Sequence, residues 1–299
     1  MDQVAEDYLL LPILNRRPSF LKIPVLELSD NAYVRTIADD HFGAIFDKAP
    51  EPYRHSLQPN TKCLYVKIGP GDDPERNLGF ANVAVRFTMN FFCSKGPLLF
   101  AFGIHAQKKK KLKVLKSFFI PVGTDRQDLA KIGYELRAGV KPDEVRAHFE
   151  VVSNAIKKSH TILLALGRIN SFLTKTDLED RIIDLTIGLE SLIPGKDELR
   201  YRFSLYLSFI TEKEPVKRLE KFKLFQALYD TRSRIVHGGD FDNQAAKKQK
   251  MLTANWDELI RISLSAVNYH LYFLSANEVA KWSEHLQSLV IEGAPRAVD

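Results

Sequence analysis

The stretch Leu228-Tyr229-Asp230-Thr231-Arg232-Ser233-Arg234-Ile235-Val236-His237-Gly238-Gly239 decides how the second half of this chain is read. Counted from Phe222 at ~100° per residue, Phe225, Leu228, Tyr229, Ile235 and Val236 fall within one arc, the apolar face of a helix. Arg232 lands in the middle of that arc. A guanidinium in an apolar stripe is costly unless a carboxylate or an anionic ligand meets it. Gly238-Gly239 predicts the stop of the helix, because glycine readily takes the left-handed C-terminal conformation. His237 is then expected near the negative end of the helix dipole, which favours its protonated form. An arginine held in an apolar face close to a titratable histidine suits work on phosphate.

Working outward, the pattern is helical throughout after Pro142. Val145, Phe149, Val152, Ile156, Leu163, Leu166, Ile169 and Leu173 recur at helical spacing. Thr176-Asp177-Leu178-Glu179 reads as a capping box for a helix that runs through Ile182, Leu185, Leu189 and Leu192 to a Pro194-Gly195 stop. A further helix is expected from about Glu198 to Thr211, and Pro215 marks the start of the one that carries the opening motif. Gly238 to Lys250 reads as a polar loop. Leu252 to Leu274 is a long apolar helical segment, and a final helix covers about Asn277 to Val290. No internal repeat is visible.

Before residue 141 the composition differs. Prolines are frequent and apolar runs are short. Lys62 to Ile68 alternates and ends at Gly69-Pro70-Gly71-Asp72-Asp73, a strand followed by a turn. Asn82 to Phe92, Leu98 to Ala106 and Leu112 to Val122 are rich in Val, Phe, Leu and Ile. The last two flank Lys108-Lys109-Lys110-Lys111 and read as a hairpin with a basic tip. A helix is expected around Ala32 to Phe46. The fold class that follows is mainly α, with a smaller α+β N-terminal domain (residues 1–140) before a C-terminal helical bundle (141–299) large enough to bury its own core.

Bulk numbers set the frame. The chain has 299 residues, 45% hydrophobic and 27% charged, an ordinary globular balance. Nothing approaches the ~18 consecutive apolar residues of a membrane span. The start, Met1 to Asp7, lacks the basic beginning of a signal peptide. Cys63 and Cys93 show no metal-ligand spacing, so a reduced cytoplasmic protein without metal or cofactor is expected. The formal charge of +6 permits a nucleic-acid partner without demanding one. The glycine turn after Ile68 lacks the Gly-Lys-Ser/Thr ending of a phosphate loop, and no Gly-x-Ser-x-Gly nucleophile motif is present.

Four blocks in order carry a resemblance. Leu166-Gly167-Arg168-Ile169-Asn170, Asp180 through Glu190 to Leu192 with its Ile-Gly-Leu-Glu-Ser-Leu end, Arg202-Phe203-Ser204-Leu205, and Leu228 to Gly238 together resemble an Apea-like HEPN domain, over about residues 143–290. The resemblance implies a helical bundle that usually dimerises. It implies that Arg232 and His237, as an Arg-x4-His motif, form the active site of a metal-independent endoribonuclease of the defence or toxin type. Ser233 departs from that family's habit of Asn, Asp or His after the arginine. The family also has members that bind RNA, nucleotides or proteins without cutting.

In that chemistry the ribose 2′-OH attacks the adjacent phosphate, leaving a 2′,3′-cyclic phosphate. His237 would move the proton, and Arg232 would meet the charge on the phosphorane. Five steps of ~100° place the two about 140° apart on one helix. Either the helix frays at His237, or a second subunit supplies the opposite residue, which favours a homodimer. Glu190 is the accessory carboxylate expected to orient Arg232 or His237. Ser233 and Arg202 are further accessory candidates, Arg202 for a phosphate contact. Asp230 and Arg234 are expected to face solvent. Lys108, Lys109, Lys110 and Lys111 are either a solvated tip or an RNA-capturing arm. The alternative reading is a non-catalytic RNA-binding or dimerisation module, in which Arg232 and Glu190 are a structural ion pair.

Overall fold

The computed structural model describes residues 6–13, 21–22, 25–37, 39–54, 57, 61–69, 72–95, 100, 102–108, 112–119, 134–195, 197–238 and 243–293. The chain is mostly helical, with an antiparallel sheet in its N-terminal part and a helical C-terminal region. It divides into two compact units, Met1–Ser153 and Asn154–Asp299.

In the first unit, β1 (Glu6–Pro12), β3 (Leu26–Ser29), β4 (Ala32–Thr36), β5 (Lys62–Ile68), β7 (Phe102–Lys108) and β8 (Leu112–Phe119) form one six-stranded sheet, ordered β3-β4-β5-β1-β7-β8. All its pairings are antiparallel. Leu9, Leu10 and Leu11 of β1 are fully buried, as a strand covered on both faces requires. A second, three-stranded sheet joins β2 (Leu21–Lys22), β9 (Tyr134–Leu136) and β6 (Cys93–Lys95). One face of the larger sheet packs around Tyr8, Leu10, Tyr65, Phe102 and Ile104 together with Ile45 of α1 (Asp39–Lys48) and Tyr53 of α2 (Glu51–Arg54). On the other face lies α3 (Pro74–Phe91), started by Pro74 and by the Asp73 carboxylate, which accepts from the Glu75 amide. Gly103 of β7 is needed there, since a Cβ would come within 2.6 Å of Leu78.

The strand at Lys62–Ile68 and the hairpin around Lys108 stand where their patterns placed them. Two readings change. Ala32 to Thr36 is strand, because it pairs with β5, and the helix begins only at Asp39. The apolar run at Asn82–Phe92 belongs to α3, whose buried positions Leu78, Ala81, Ala84, Val85 and Thr88 keep helical spacing.

The helix α4 (Pro142–Lys158) starts where the composition changes, yet its first part belongs with the sheet unit. His148 explains this. It is 1% exposed, stacks on Phe91 at 4.6 Å and lies 3.3 Å from the Thr88 hydroxyl. Arg146 adds an ion pair to Asp30 at 3.0 Å.

The second unit is built from α5 (His160–Thr174), α6 (Leu178–Glu190), α7 (Leu199–Thr211), α8 (Pro215–His237), α9 (Asn243–Ala254), α10 (Trp256–Ala276) and α11 (Trp282–Glu292), the last preceded by a 3-10 turn at Val279–Lys281. Leu166, Ile169, Phe172, Leu185, Leu189, Phe203, Leu207, Phe225, Leu228 and Leu259 are fully buried among them. The cap of α6 is Asp177 rather than Thr176: its carboxylate accepts from the Asp180 amide. Gly188 sits where α6 presses on α5, with Ala165 O only 3.2 Å from the place a Cβ would take. The segment read as a polar loop, 238–250, contains most of α9. Asn243 to Lys250 is too polar to show a stripe, and its helix is held by contacts with α8.

Candidate functional site

The helix α8 runs unbroken from Pro215 through His237 and stops at Gly238, whose φ of 64° is the left-handed cap conformation. The stop is where the glycines predicted it. The apolar face is shifted from the predicted arc. Arg218, Lys221, Leu224, Phe225, Ala227, Leu228 and Thr231 are its buried residues, Ile235 is half-buried and Val236 is 50% exposed. The last turns of α8 therefore emerge from the bundle.

Arg232 lies at the margin of that face, its side chain 22% exposed. Its Nη2 is 4.0 Å from the Glu190 Oε2 at the end of α6, and the Glu190 side chain is 23% exposed. The expected partnership of Arg232 and Glu190 is present. It is a loose one, at the outer limit of an ion pair, and both groups are half-buried rather than buried. Arg232 Nε is shut from solvent without a hydrogen-bond partner among the described residues. Tyr229 belongs to the same neighbourhood. Burial and then the Glu190 charge push its phenol up, while Arg232 opposes them. Its ring packs 5.5 Å from Phe203.

His237 is exposed on the final turn, and Ser233 is half-buried one residue after Arg232. Because the helix does not fray, the sequence angle of about 140° between Arg232 and His237 holds within one chain. Arg202 does not reach toward Arg232 in any recorded contact. It stands over Tyr206 at 5.7 Å and folds against Gly195, where a Cβ would lie 2.1 Å from its Nη1. Lys108 ends β7, half-buried; Lys109, Lys110 and Lys111 lie outside the described residues.

Asp230 corrects the expectation that it faces solvent. Its side chain is 17% exposed. Arg200 of α7 grips both oxygens, Nη2 donating to Oδ2 at 2.8 Å, and Lys248 of α9 donates to the same oxygen at 2.6 Å. Burial pushes this carboxyl up, but hydrogen bonds from Arg200 and Lys248 outweigh it and the carboxyl lies below its usual range. Arg234 is half-buried rather than free in solvent. An open depression of about 500 Å³ lined by Glu198, Leu199, Arg200 and Tyr201 adjoins the Arg200 end of this network.

A second centre in the same unit was not singled out from the sequence. Asp184, 1% exposed on α6, receives Arg168 Nη1 at 2.8 Å, and Lys175 Nζ lies 2.8 Å from its other oxygen. Burial raises this carboxyl; hydrogen bonds from Lys175, Arg168 and Ser171 then bring it below the ordinary value. A carboxylate at an apolar position in the middle of a helix, with cations on and just after the preceding helix, was the available signal.

Among the described residues no group of three or more His, Cys, Asp and Glu side chains is placed to hold a metal ion, and no helix is long and apolar enough to cross a membrane. No family model, no curated protein and no solved structure matches this chain.

Proposed function

We propose that the C-terminal helical unit is a HEPN-type, metal-independent RNA endonuclease, acting in the cytoplasm as a homodimer in a defence or toxin role. The observation that carries the reading is the state of Arg232. Its guanidinium is mostly withdrawn from solvent, only loosely met by Glu190, and its Nε has no described partner. A phosphate would supply the acceptor oxygens that this group lacks.

In the proposed reaction, His237 takes the proton of the ribose 2′-OH or delivers one to the leaving 5′ oxygen; an imidazole can do either near neutral pH. Arg232 stabilises the charge gathered on the phosphorane. Glu190 holds the guanidinium in aim. Ser233 offers a hydroxyl beside it. With α8 regular through His237, one chain turns the two groups apart, and a second copy across a two-fold axis supplies the complementary one. The N-terminal unit would sense a trigger or restrain the nuclease.

The rival reading is a non-catalytic RNA-docking or dimerisation module. The exposed His237, in no ion pair among the described residues, and the Arg232–Glu190 contact favour it. Incubation of RNA in EDTA separates the two. Wild type should leave 2′,3′-cyclic phosphate ends, and His237→Ala should lower the rate by about 10²–10⁴-fold with an unchanged thermal melt. RNA left intact by folded wild type would overturn the nuclease and leave the non-catalytic reading standing.

A further inference from the structure

The N-terminal unit holds a cleft of about 460 Å³ at the end of its larger sheet, within the range of roughly 300–1,000 Å³ usual for small-molecule sites. It opens on the face that carries α3. Asp7 of β1 pairs in register with Ile68 of β5 and Gln107 of β7, and Leu9 pairs with His105. Strand alternation therefore puts Asp7, Ile68, Gln107 and His105 on one face. The turn before α3 brings Asp72 and Pro74 to the rim, and Glu6 and Lys67 border the other side.

The polar groups of this cleft are unevenly satisfied. Glu6 is neutralised by Lys67 at 3.3 Å and takes the Tyr8 hydroxyl. Asp72 accepts the Gly69 amide at 2.9 Å and is in no ion pair among the described residues. Gln107 Nε2 donates to Asp7 Oδ1 at 3.0 Å, which fixes the carboxylate. Asp7 Oδ2 then lies 3.6 Å from His105 Nε2, too far for a hydrogen bond. That nitrogen is shut from solvent and has no hydrogen-bond partner among the described residues. Convergent here are the Asp7 carboxylate, a ring nitrogen able to accept, and the Gln107 carbonyl oxygen. They stand over Ile68 and Pro74, and Lys67, the lining cation among the described residues, is already engaged by Glu6.

We infer that this cleft binds a small organic cation, a guanidinium or primary ammonium on a short apolar stem, with its head against the Asp7 carboxylate, beside the His105 ring. The acceptor surplus selects a donor-rich head, and the unbalanced carboxylates Asp7 and Asp72 select positive charge. An anion would meet the Asp7 and Asp72 carboxylates, and among the described lining residues no cation but Lys67, already paired with Glu6. The inference does not rest on the RNA reading; it concerns only the first unit.

Agmatine, which carries both head groups, is the probe. Titration calorimetry of the full chain at low salt should show saturable binding with one site per chain. Asp7→Asn should weaken it about tenfold or more, the loss of one charge-assisted hydrogen bond, while leaving the thermal melt in place. His105→Phe should weaken it as well. Asp47→Asn, on α1 against the opposite face of the sheet, should leave the affinity unchanged. Absence of saturable heat with agmatine and with spermidine up to ~10 mM would overturn the inference. So would equal affinity in the Asp7→Asn protein, or an equal loss in Asp47→Asn, which would mean general attraction to an acidic surface.

Discussion

Asp184 and Glu190 lie on the same helix, and each faces an arginine from another helix, yet the two meetings differ in kind. Asp184 is 1% exposed, with Arg168 and Lys175 each at 2.8 Å. Glu190 is 23% exposed, and Arg232 stands 4.0 Å away. The first is the tighter centre. Its carboxylate is desolvated and has a cation at 2.8 Å from each oxygen, so it fixes α5 against α6. The second is half-open at the end of the bundle, where α8 rises out of its packing. A loosely held pair costs little to rearrange, and its guanidinium keeps directions free for a ligand. Similar pairs of carboxylate and arginine thus lock the middle of α6 and stand half-open at its C-terminal end.

The strongest way to break this comparison is to remove each carboxylate. Asp184→Ala strips Lys175 and Arg168 of their shared carboxylate; because both cations are partly exposed, the cost should be about 1–3 kcal/mol, read as a drop in the urea midpoint at unchanged slope. If Asp184→Ala unfolds no more readily than Glu190→Ala, burial does not separate the two centres.

A second test asks whether burial alone governs a titratable group in this unit. His270 of α10 is 5% exposed, stacked at 4.0 Å on Trp282, whose Nε1 donates to Leu192 O at 2.6 Å. Burial first, and the nearby His285 second, push its imidazole down to about 3 from 6.5. The folded protein therefore prefers the neutral ring. Its contribution is fully present above the unfolded value and is lost as pH falls toward the folded one. Acidification from pH 7 to 5 should cost about 2 kcal/mol from this group. His270→Phe should flatten that slope. An Asp184 contribution would vanish only below the ordinary carboxylate range, since its folded value is lowered. The two acid limbs are thus separable by pH in thermal melts of the wild type and both variants.

The difference between the two centres was only half readable in the sequence. The course of α8 was plain, because Pro215 and Gly238 punctuate it by backbone chemistry that tertiary contacts do not override. The pairing of Arg232 with Glu190 followed from placing a charge in an apolar face. What escaped were contacts made by three helices at once. Asp230 looked solvent-facing on the wheel of its own helix, and its partners Arg200 and Lys248 come from α7 and α9. Moreover α9 itself was hidden, since Asn243 to Lys250 shows no apolar period. The same limit applied to Ala32–Thr36, whose strand character comes from pairing with β5. In the first unit the cleft around Asp7 was invisible, because strand order and register bring residues 7, 68 and 105 together.

The smallest expected effect sharpens the comparison most. Glu190→Gln should change global stability by under about 1 kcal/mol, as for a partly exposed pair. In a double-mutant cycle with Arg232→Gln, the coupling energy should be equally small, whereas a Lys175→Gln, Asp184→Asn cycle should be larger by virtue of burial. A coupling above about 2 kcal/mol at Glu190 and Arg232 would make that pair a structural clamp like the Asp184 centre. The proposed nuclease would then lose its main support, because a clamped guanidinium has no reason to seek a phosphate. Weak coupling together with lost RNA cleavage in Glu190→Gln would place the carboxylate in a positioning role: it would aim Arg232 while contributing almost nothing to the fold.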